Sequence, residues 1–241
     1  MRTLLLLASF ALIGCTSPGP AHVPPVLLFT GGGTSANDVA AVEAILKEKH
    51  FEYSTATSRQ LNGMSEAQLM DYRLIVVPGG NFIAMAESLT PGTTANIRNA
   101  VAGGLNYLGI CAGAFLAARG TYNSVNLTSG VRFGFYAAER RGVRKAAVTV
   151  TGVGTPPIEH YWEDGPELTG WGMVVGTYPD GTPAIVEGPA GKGWVILTGV
   201  HPEAPDHWRR GMTFTMPARV ANVYAGTLVE AALYRTSLPH Y

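Results

Sequence analysis

The sequence predicts an α/β fold with a doubly wound, mostly parallel sheet and flanking helices. Two observations carry that expectation. In the first half, short apolar runs alternate with amphipathic stretches: Val26 to Thr30, Phe51 to Thr57, Leu74 to Val77 and Leu105 to Ile110 alternate with helix-forming segments. Each of three such runs also ends in small residues: Gly31-Gly32-Gly33, Pro78-Gly79-Gly80 and Gly109-Ile110-Cys111-Ala112-Gly113. In an open parallel sheet, loops that follow strands meet at one edge, where ligands bind.

Composition sets the limits. The chain has 241 residues, of which 46% are hydrophobic and 14% charged, so it can build a substantial core. Formal net charge is zero, and no long block of one sign occurs, which argues against nucleic acid as a partner. The 30 glycines suit a fold with many tight strand-to-helix turns.

The first residues read as an address. Met1-Arg2 is a short positive start, and the apolar run Leu4 to Ile13 is too short to span a bilayer. It ends Leu12-Ile13-Gly14-Cys15, which resembles a bacterial lipobox. That resemblance implies removal of residues 1–14 and a lipid on Cys15, with the protein exported and held at a membrane. Residues 15–25 are Pro-rich and read as a tether. The folded domain is expected over residues 26–236, with 237–241 as a tail.

Within the domain, Ser35 or Asn37 is expected to cap a helix running to about Lys49. Ser65 opens a short helix, and Thr90 to Ala102 forms another with Pro91 in its first turn. The second half is strand-rich: Val131 to Phe135, Ala146 to Thr151, Ile158 to Trp162, Gly172 to Tyr178, Pro183 to Glu187 and Trp194 to Thr198. A helix over Pro217 to Leu233 closes the domain.

The Gly-x-Cys-x-Gly segment has the form of a nucleophile elbow, a strained turn between strand and helix that needs small neighbours. With Cys15 assigned to a lipid, Cys111 is left without a disulfide partner. A catalytic thiol needs a base, a group that orients the base, and oxyanion donors. His201 directly follows an expected strand, and Glu203 lies two residues on. His22 lies in the tether, His240 at the frayed end, and His50 far from the site edge. Oxyanion donors are expected from the N–H of Ala112 and from Gly79 or Gly80. Gly31, Gly32, Asn81, Tyr161 and Trp162 are candidate substrate contacts. His201, Glu203, Asp206 and His207 do not have the spacing of a metal site, and no metal or cofactor is expected. Glu139 to Lys145 reads as a solvated hairpin tip.

Pro78-Gly79-Gly80, Gly109-Ile110-Cys111-Ala112-Gly113 and His201-Pro202-Glu203 together resemble a class I glutamine amidotransferase-like domain. With His160-Tyr161-Trp162-Glu163-Asp164-Gly165-Pro166, Gly191-Lys192-Gly193 and Gly199-Val200-His201, they resemble its biotin-protein ligase N-terminal-domain-like group. The resemblance implies Cys111 as nucleophile, His201 as base and Glu203 as orienting acid. It does not imply biotin transfer, because the ligase half of the eukaryotic enzymes has no counterpart in these residues. Glu163-Asp164-Gly165 is more acidic than the Asn-Gly-Gly type expected of the group. The leading expectation is a Cys-His-Glu hydrolase acting on an amide or related acyl bond of a small-molecule or envelope-derived substrate. A non-catalytic binding module and a thiol redox or carbonyl-detoxifying enzyme are the alternatives.

Overall fold

In a computed structural model that describes residues 22–240, strand β1 (Val26–Phe29) leads into helix α1 (Ala36–Glu48) and strand β2 (Tyr53–Ala56). Two short helices follow, α2 (Ser58–Asn62) and α3 (Glu66–Leu69), then β3 (Leu74–Val77), α4 (Phe82–Ser88) and α5 (Pro91–Gly103). β4 (Asn106–Ile110) and α6 (Ala112–Ala117) form the elbow. Beyond it come β5 (Gly134–Phe135), β6 (Lys145–Val150), β7 (Ile158–Glu163) and β8 (Pro166–Glu167). The chain closes with β9 (Met173–Thr177), β10 (Pro183–Ala190), β11 (Gly193–Thr198) and α7 (Ala218–Tyr234).

The main sheet has seven strands in the order β2-β1-β3-β4-β11-β10-β9. The first five run parallel, and the hairpin-linked β10 and β9 complete it antiparallel. β1 and β3 are buried at every residue, as expected of strands covered on both faces. Alternate side chains divide between two cores. Val26, Leu28, Val76 and Leu108 pack with Val42 and Leu46 of α1 and Leu228 of α7. Leu27, Phe29, Ile75 and Tyr107 pack with Met85 of α4 and Ile97 and Val101 of α5. Helices on both faces make the sheet doubly wound.

Local signals account for the helix starts. Ser35, Thr57, Ser65, Asn81 and Thr90 each accept a backbone N–H from the first turn of the helix they precede. α2 and α4 are absent from the sequence expectation because five and seven residues are too few to show a 3.6-residue period. The hairpin β6–β7 stands apart from the main sheet, and two bridges tie it back: Thr151, just after β6, to Thr177 of β9, and Tyr161 to His201 beyond β11. Position 15 and the residues before it lie outside the described residues.

The end of the chain departs from expectation. His240 is tied down, because Glu187 is fully buried and its Oε1 accepts from Ser237 Oγ at 2.7 Å, Leu238 N at 2.8 Å and His240 Nε2 at 2.9 Å. A buried carboxylate requires such donors, and the last residues supply three.

His160 presents the opposite case. It is fully buried on β7, and neither ring nitrogen has a hydrogen-bond partner among the described residues. Burial, with the Arg209 charge nearby, pushes its pKa down to about 3. The folded imidazole stays neutral while the unfolded one takes a proton near 6.5. Stability is therefore fully present above that value and falls as pH drops towards about 3, by up to about 1.4 kcal/mol per pH unit. In urea titrations, His160→Leu should flatten this acid sensitivity; an unchanged slope between pH 6 and 4 would refute the account.

Candidate active site

The site begins with a backbone conformation. Cys111 has φ 50° and ψ −106°, outside the regions ordinary residues occupy, at a cost on the order of 1–3 kcal/mol. The turn is held from several directions. Cys111 N donates to Thr198 O at 2.8 Å at the end of β11, while its carbonyl accepts from Ala114 N at 2.9 Å and Phe115 N at 3.2 Å. The small residues have a specific reason. A Cβ on Gly113 would stand 2.0 Å from Val77 O, so only glycine lets α6 lie directly on β3.

The base comes from the neighbouring strand. His201 lies just beyond β11, is 4% exposed, and its N–H is fixed by Tyr161 O at 2.8 Å. Its ring packs edge-on against Tyr161 and Trp208, with centroids at 5.8 and 5.7 Å. Nδ1–H donates to Glu203 Oε1 at 2.9 Å, which leaves Nε2 as the nitrogen available to a reacting group.

A second carboxylate stands at the same nitrogen. Asp38 Oδ1 lies 3.2 Å from His201 Nδ1, to the side of the N–H bond, as a charge contact. Asp38 is buried in the first turn of α1, whose cap is Ser35. Sequence reasoning missed it. The available signal was an acidic residue in a first turn directly after the glycine loop of β1. Gly79 makes the approach possible: a Cβ there would stand 2.1 Å from Asp38 Oδ1 and 2.7 Å from His201 Cε1.

These groups set one another's charge. Burial disfavours imidazolium, but the Cys111 thiol, the Glu203 carboxylate and Asp38 outweigh it and raise the His201 pKa well above its ordinary value. Burial also works against the Asp38 carboxylate, yet contact with His201 and with Ser35 holds its pKa below the usual value. Glu203 goes the other way, raised by burial although His201 opposes it. Cys111 and His201 line the same cavity.

Cys111, 6% exposed, opens with His201 and Asp38 into a cavity of about 460 Å³. Gly80 and Ala112 line the same cavity. Ala112 is the first residue of α6, so its N–H has no partner within the helix. Asn81 also lines the cavity, while its Oδ1 caps α4 at 3.0 Å from Ile83 N and 3.1 Å from Ala84 N. The acidic Glu163-Asp164 pair forms part of the wall, and Glu163 O lies 3.5 Å from Cys111 Sγ.

Other candidates are placed differently. Trp162 is fully buried in the core, donates Nε1 to Gly165 O at 3.2 Å, and does not line the cavity. An inward position on β7 explains this. Tyr161 is a step behind the wall, bracing His201 and hydrogen-bonding Glu163 through its hydroxyl. Gly31 and Gly32 pack against Ser58 and Ser88 of α2 and α4 and do not reach the cavity. The Glu139–Lys145 segment is more than a solvated tip: Arg144 lines the cavity and bonds Glu139 at 2.8 Å and Asp164 at 2.5 Å. Asp206 receives Ala218 N at 3.3 Å at the start of α7.

Asp38, His201 and Glu203 also offer one potential metal-ligating atom each, all within 4.8 Å of one another. A cation there would compete with the Nδ1 proton that Glu203 accepts, so the trio is described fully as a hydrogen-bonded charge cluster.

Comparison with known proteins bears on the fold. The family model "Biotin-protein ligase, N terminal" matches residues 25–142. A crystal structure of a glutamine amidotransferase superposes with TM-score 0.60 at 17% identity, covering 85% of this chain and 99% of that one. A cytoplasmic protein from Salmonella typhimurium gives TM-score 0.54 at 14% identity, covering 86% and 98%. An exo-beta-1,4-mannosidase from Opitutaceae bacterium strain TAV5 gives 0.56 at 15% identity, covering 88% of this chain but 36% of that protein. At such identities, these likenesses show the fold alone. No curated protein sequence matches.

Two measurements test the site. Glu203→Gln and Asp38→Asn should each lower the His201 pKa in an NMR titration, since each removes charge that favours imidazolium. A raised folded pKa stabilises fully below about 6.5 and loses that contribution as pH rises through the folded value. Both variants should therefore lose their stabilising effect at lower pH than the unmodified protein; an unmoved His201 titration would show that neither carboxylate sets its charge. Gly113→Ala should cost about 1–3 kcal/mol in thermal or urea unfolding through its clash with Val77 O.

Proposed function

Starting from a chain with the class I glutamine amidotransferase-like, biotin-protein ligase N-terminal-like fold, we propose that it is a cysteine-nucleophile hydrolase acting on an amide or related acyl bond. One observation carries the reading. Cys111 sits at a positive-φ elbow beside a buried imidazole whose Nδ1 faces two buried carboxylates. A cysteine that only filled space would not require the strained turn or a base held in one tautomer.

The chemistry follows from the geometry. Cys111 Sγ, as thiolate, attacks the acyl carbon and forms a C–S bond, and the carbonyl oxygen takes up negative charge. The N–H of Ala112 and a donor from Gly79 or Gly80 face that oxygen. His201 gives its Nε2 proton to the departing nitrogen as the C–N bond breaks, leaving a thioester. Water then attacks the thioester carbon as His201 takes its proton, the C–S bond breaks, and the carboxylic acid leaves with thiolate and imidazolium restored. Glu203 holds the imidazole throughout, and Asp38 adds charge that favours imidazolium in both steps.

The location belongs to the same proposal. Export and a lipid on Cys15 rest on the Leu12-Ile13-Gly14-Cys15 pattern, which would place the enzyme at a membrane surface of the cell envelope. Its substrate would then be a small or envelope-derived molecule met outside the cytoplasm.

Iodoacetamide labelling at pH 7, read by mass spectrometry, tests the nucleophile. His201→Ala should slow Cys111 modification tenfold or more, and acyl substrates should leave a hydroxylamine-sensitive adduct on Cys111 that Cys111→Ser cannot form. Equal labelling with and without His201, and no acyl adduct, would overturn the hydrolase. Cys15→Ser should move the protein from the membrane to the soluble fraction; continued membrane association would refute the anchor.

A further inference from the structure

Beside the catalytic cavity lies a second one of about 200 Å³, and Phe82, Phe115 and Phe135 line both. Their rings form one continuous surface. Phe82 stacks on Phe115 at 4.7 Å, Phe135 lies 5.0 Å from Phe115, and Tyr122 stands edge-on to Phe82 at 6.4 Å. Phe135 and Tyr122 are 38% and 45% exposed, so this aromatic surface faces solvent as well as the core.

The far end of the groove is basic. Arg119 and Arg132 line the second cavity, and both are exposed. Among the described residues neither is paired with a carboxylate, whereas Arg144 and Arg219 are. At the near end, Asp38, Glu163 and Asp164 line the cavity at Cys111 with Arg144, whose charge is already engaged by Glu139 and Asp164, so the balance there is acidic. The two cavities together therefore form a groove with negative charge at the nucleophile, aromatic rings in the middle and positive charge beyond.

We propose that the second cavity is the substrate subsite, and that it takes the part of an amide substrate carrying an aromatic or branched apolar group together with a carboxylate. This rests on the hydrolase reading of Cys111. The side chain would lie on the Phe82–Phe115–Phe135 surface, where stacking and burial favour an apolar group. Its carboxylate would reach the Arg119 and Arg132 forks, which suit planar anions. Repulsion by Asp38, Glu163 and Asp164 disfavours the reversed orientation, so the charge pattern also fixes which end of the substrate meets Cys111.

Alkylating probes test this without a known substrate. The full chain is treated with 2-chloroacetamide, N-chloroacetyl-phenylalanine and its neutral amide, N-chloroacetyl-phenylalaninamide. In each case Cys111 sulfur displaces chloride, and modification is followed by mass spectrometry. The acid should modify Cys111 about tenfold faster than the neutral amide at low salt, the ratio expected from about 1.4 kcal/mol of charge-assisted binding. In the Arg119→Ala/Arg132→Ala double variant the acid-to-amide ratio should fall to about one. Because the ratio is taken within each variant, partial loss of folding cancels. Equal rates for acid and amide in the unmodified protein, or a ratio that survives the double variant, would overturn the subsite. Failure of the hydrolase reading is separate: it would appear with 2-chloroacetamide as a rate that does not depend on His201.

Discussion

The structure depends most on one buried imidazole and the two carboxylates at its Nδ1. Charge removed from water must be matched locally, and the match here draws on parts of the chain far apart in sequence. Glu203 lies two residues beyond His201, but Asp38 comes from the first turn of α1, after the first strand. The contact fixes how that helix starts relative to β11, and it explains Gly79, since any side chain there would enter the space Asp38 and His201 share. The two acids are not equivalent. Asp38 is held in its charged form, while burial makes Glu203 readier to keep a proton. A pair this close titrates as a unit, so the charge of each acid depends on the other and on the imidazole they share.

The elbow depends on the same strand edge. Cys111 is anchored to Thr198 O, the last residue of β11, and His201 lies three residues beyond Thr198. Nucleophile and base are thus fixed to one strand end, and their relative position is set by parallel pairing of β4 with β11. The strain at Cys111 is offset by this pairing and by the packing of α6 on β3. Such preorganisation is what a reaction needs if little is to move as charge develops.

Much of this was legible in the sequence, for identifiable reasons. β1 and β3 are continuous apolar runs followed closely by glycine, β4 runs into the elbow, and α1 and α5 carry side-chain caps, so the alternation could be read directly. Cys111, His201 and Glu203 were legible because the elbow and the short His-x-Glu spacing are local. Asp38 was not, since nothing local marks which first-turn acid will meet a histidine 163 positions later. Trp162 misled because aromatic composition does not reveal which face of β7 turns inward. Gly31 and Gly32 misled in a different way: their closeness serves Ser58 and Ser88, two short helices that periodicity cannot detect. Arg144 was hidden by a charged stretch whose composition looks solvated, although Glu139 and Asp164 hold it at the cavity wall.

That last placement bears on what the cavity can recognise. An ω-amide such as glutamine would carry a carboxylate and an ammonium group into the same cavity, where the carboxylate would need a cation. Among the described residues, Arg144 is the one arginine or lysine lining the catalytic cavity, and two carboxylates already engage it. Any anion entering there must compete with Glu139 and Asp164 for the same guanidinium, while Glu163 and Asp38 repel it. Uncommitted positive charge appears only beyond the aromatic surface, at Arg119 and Arg132. The Glu163-Asp164-Gly165 segment therefore does two things at once: its backbone meets the Cys111 thiol, and its Asp164 side chain holds Arg144 at the cavity wall. A fold shared with a solved glutamine amidotransferase thus carries, at this cavity, an arginine already held by two carboxylates.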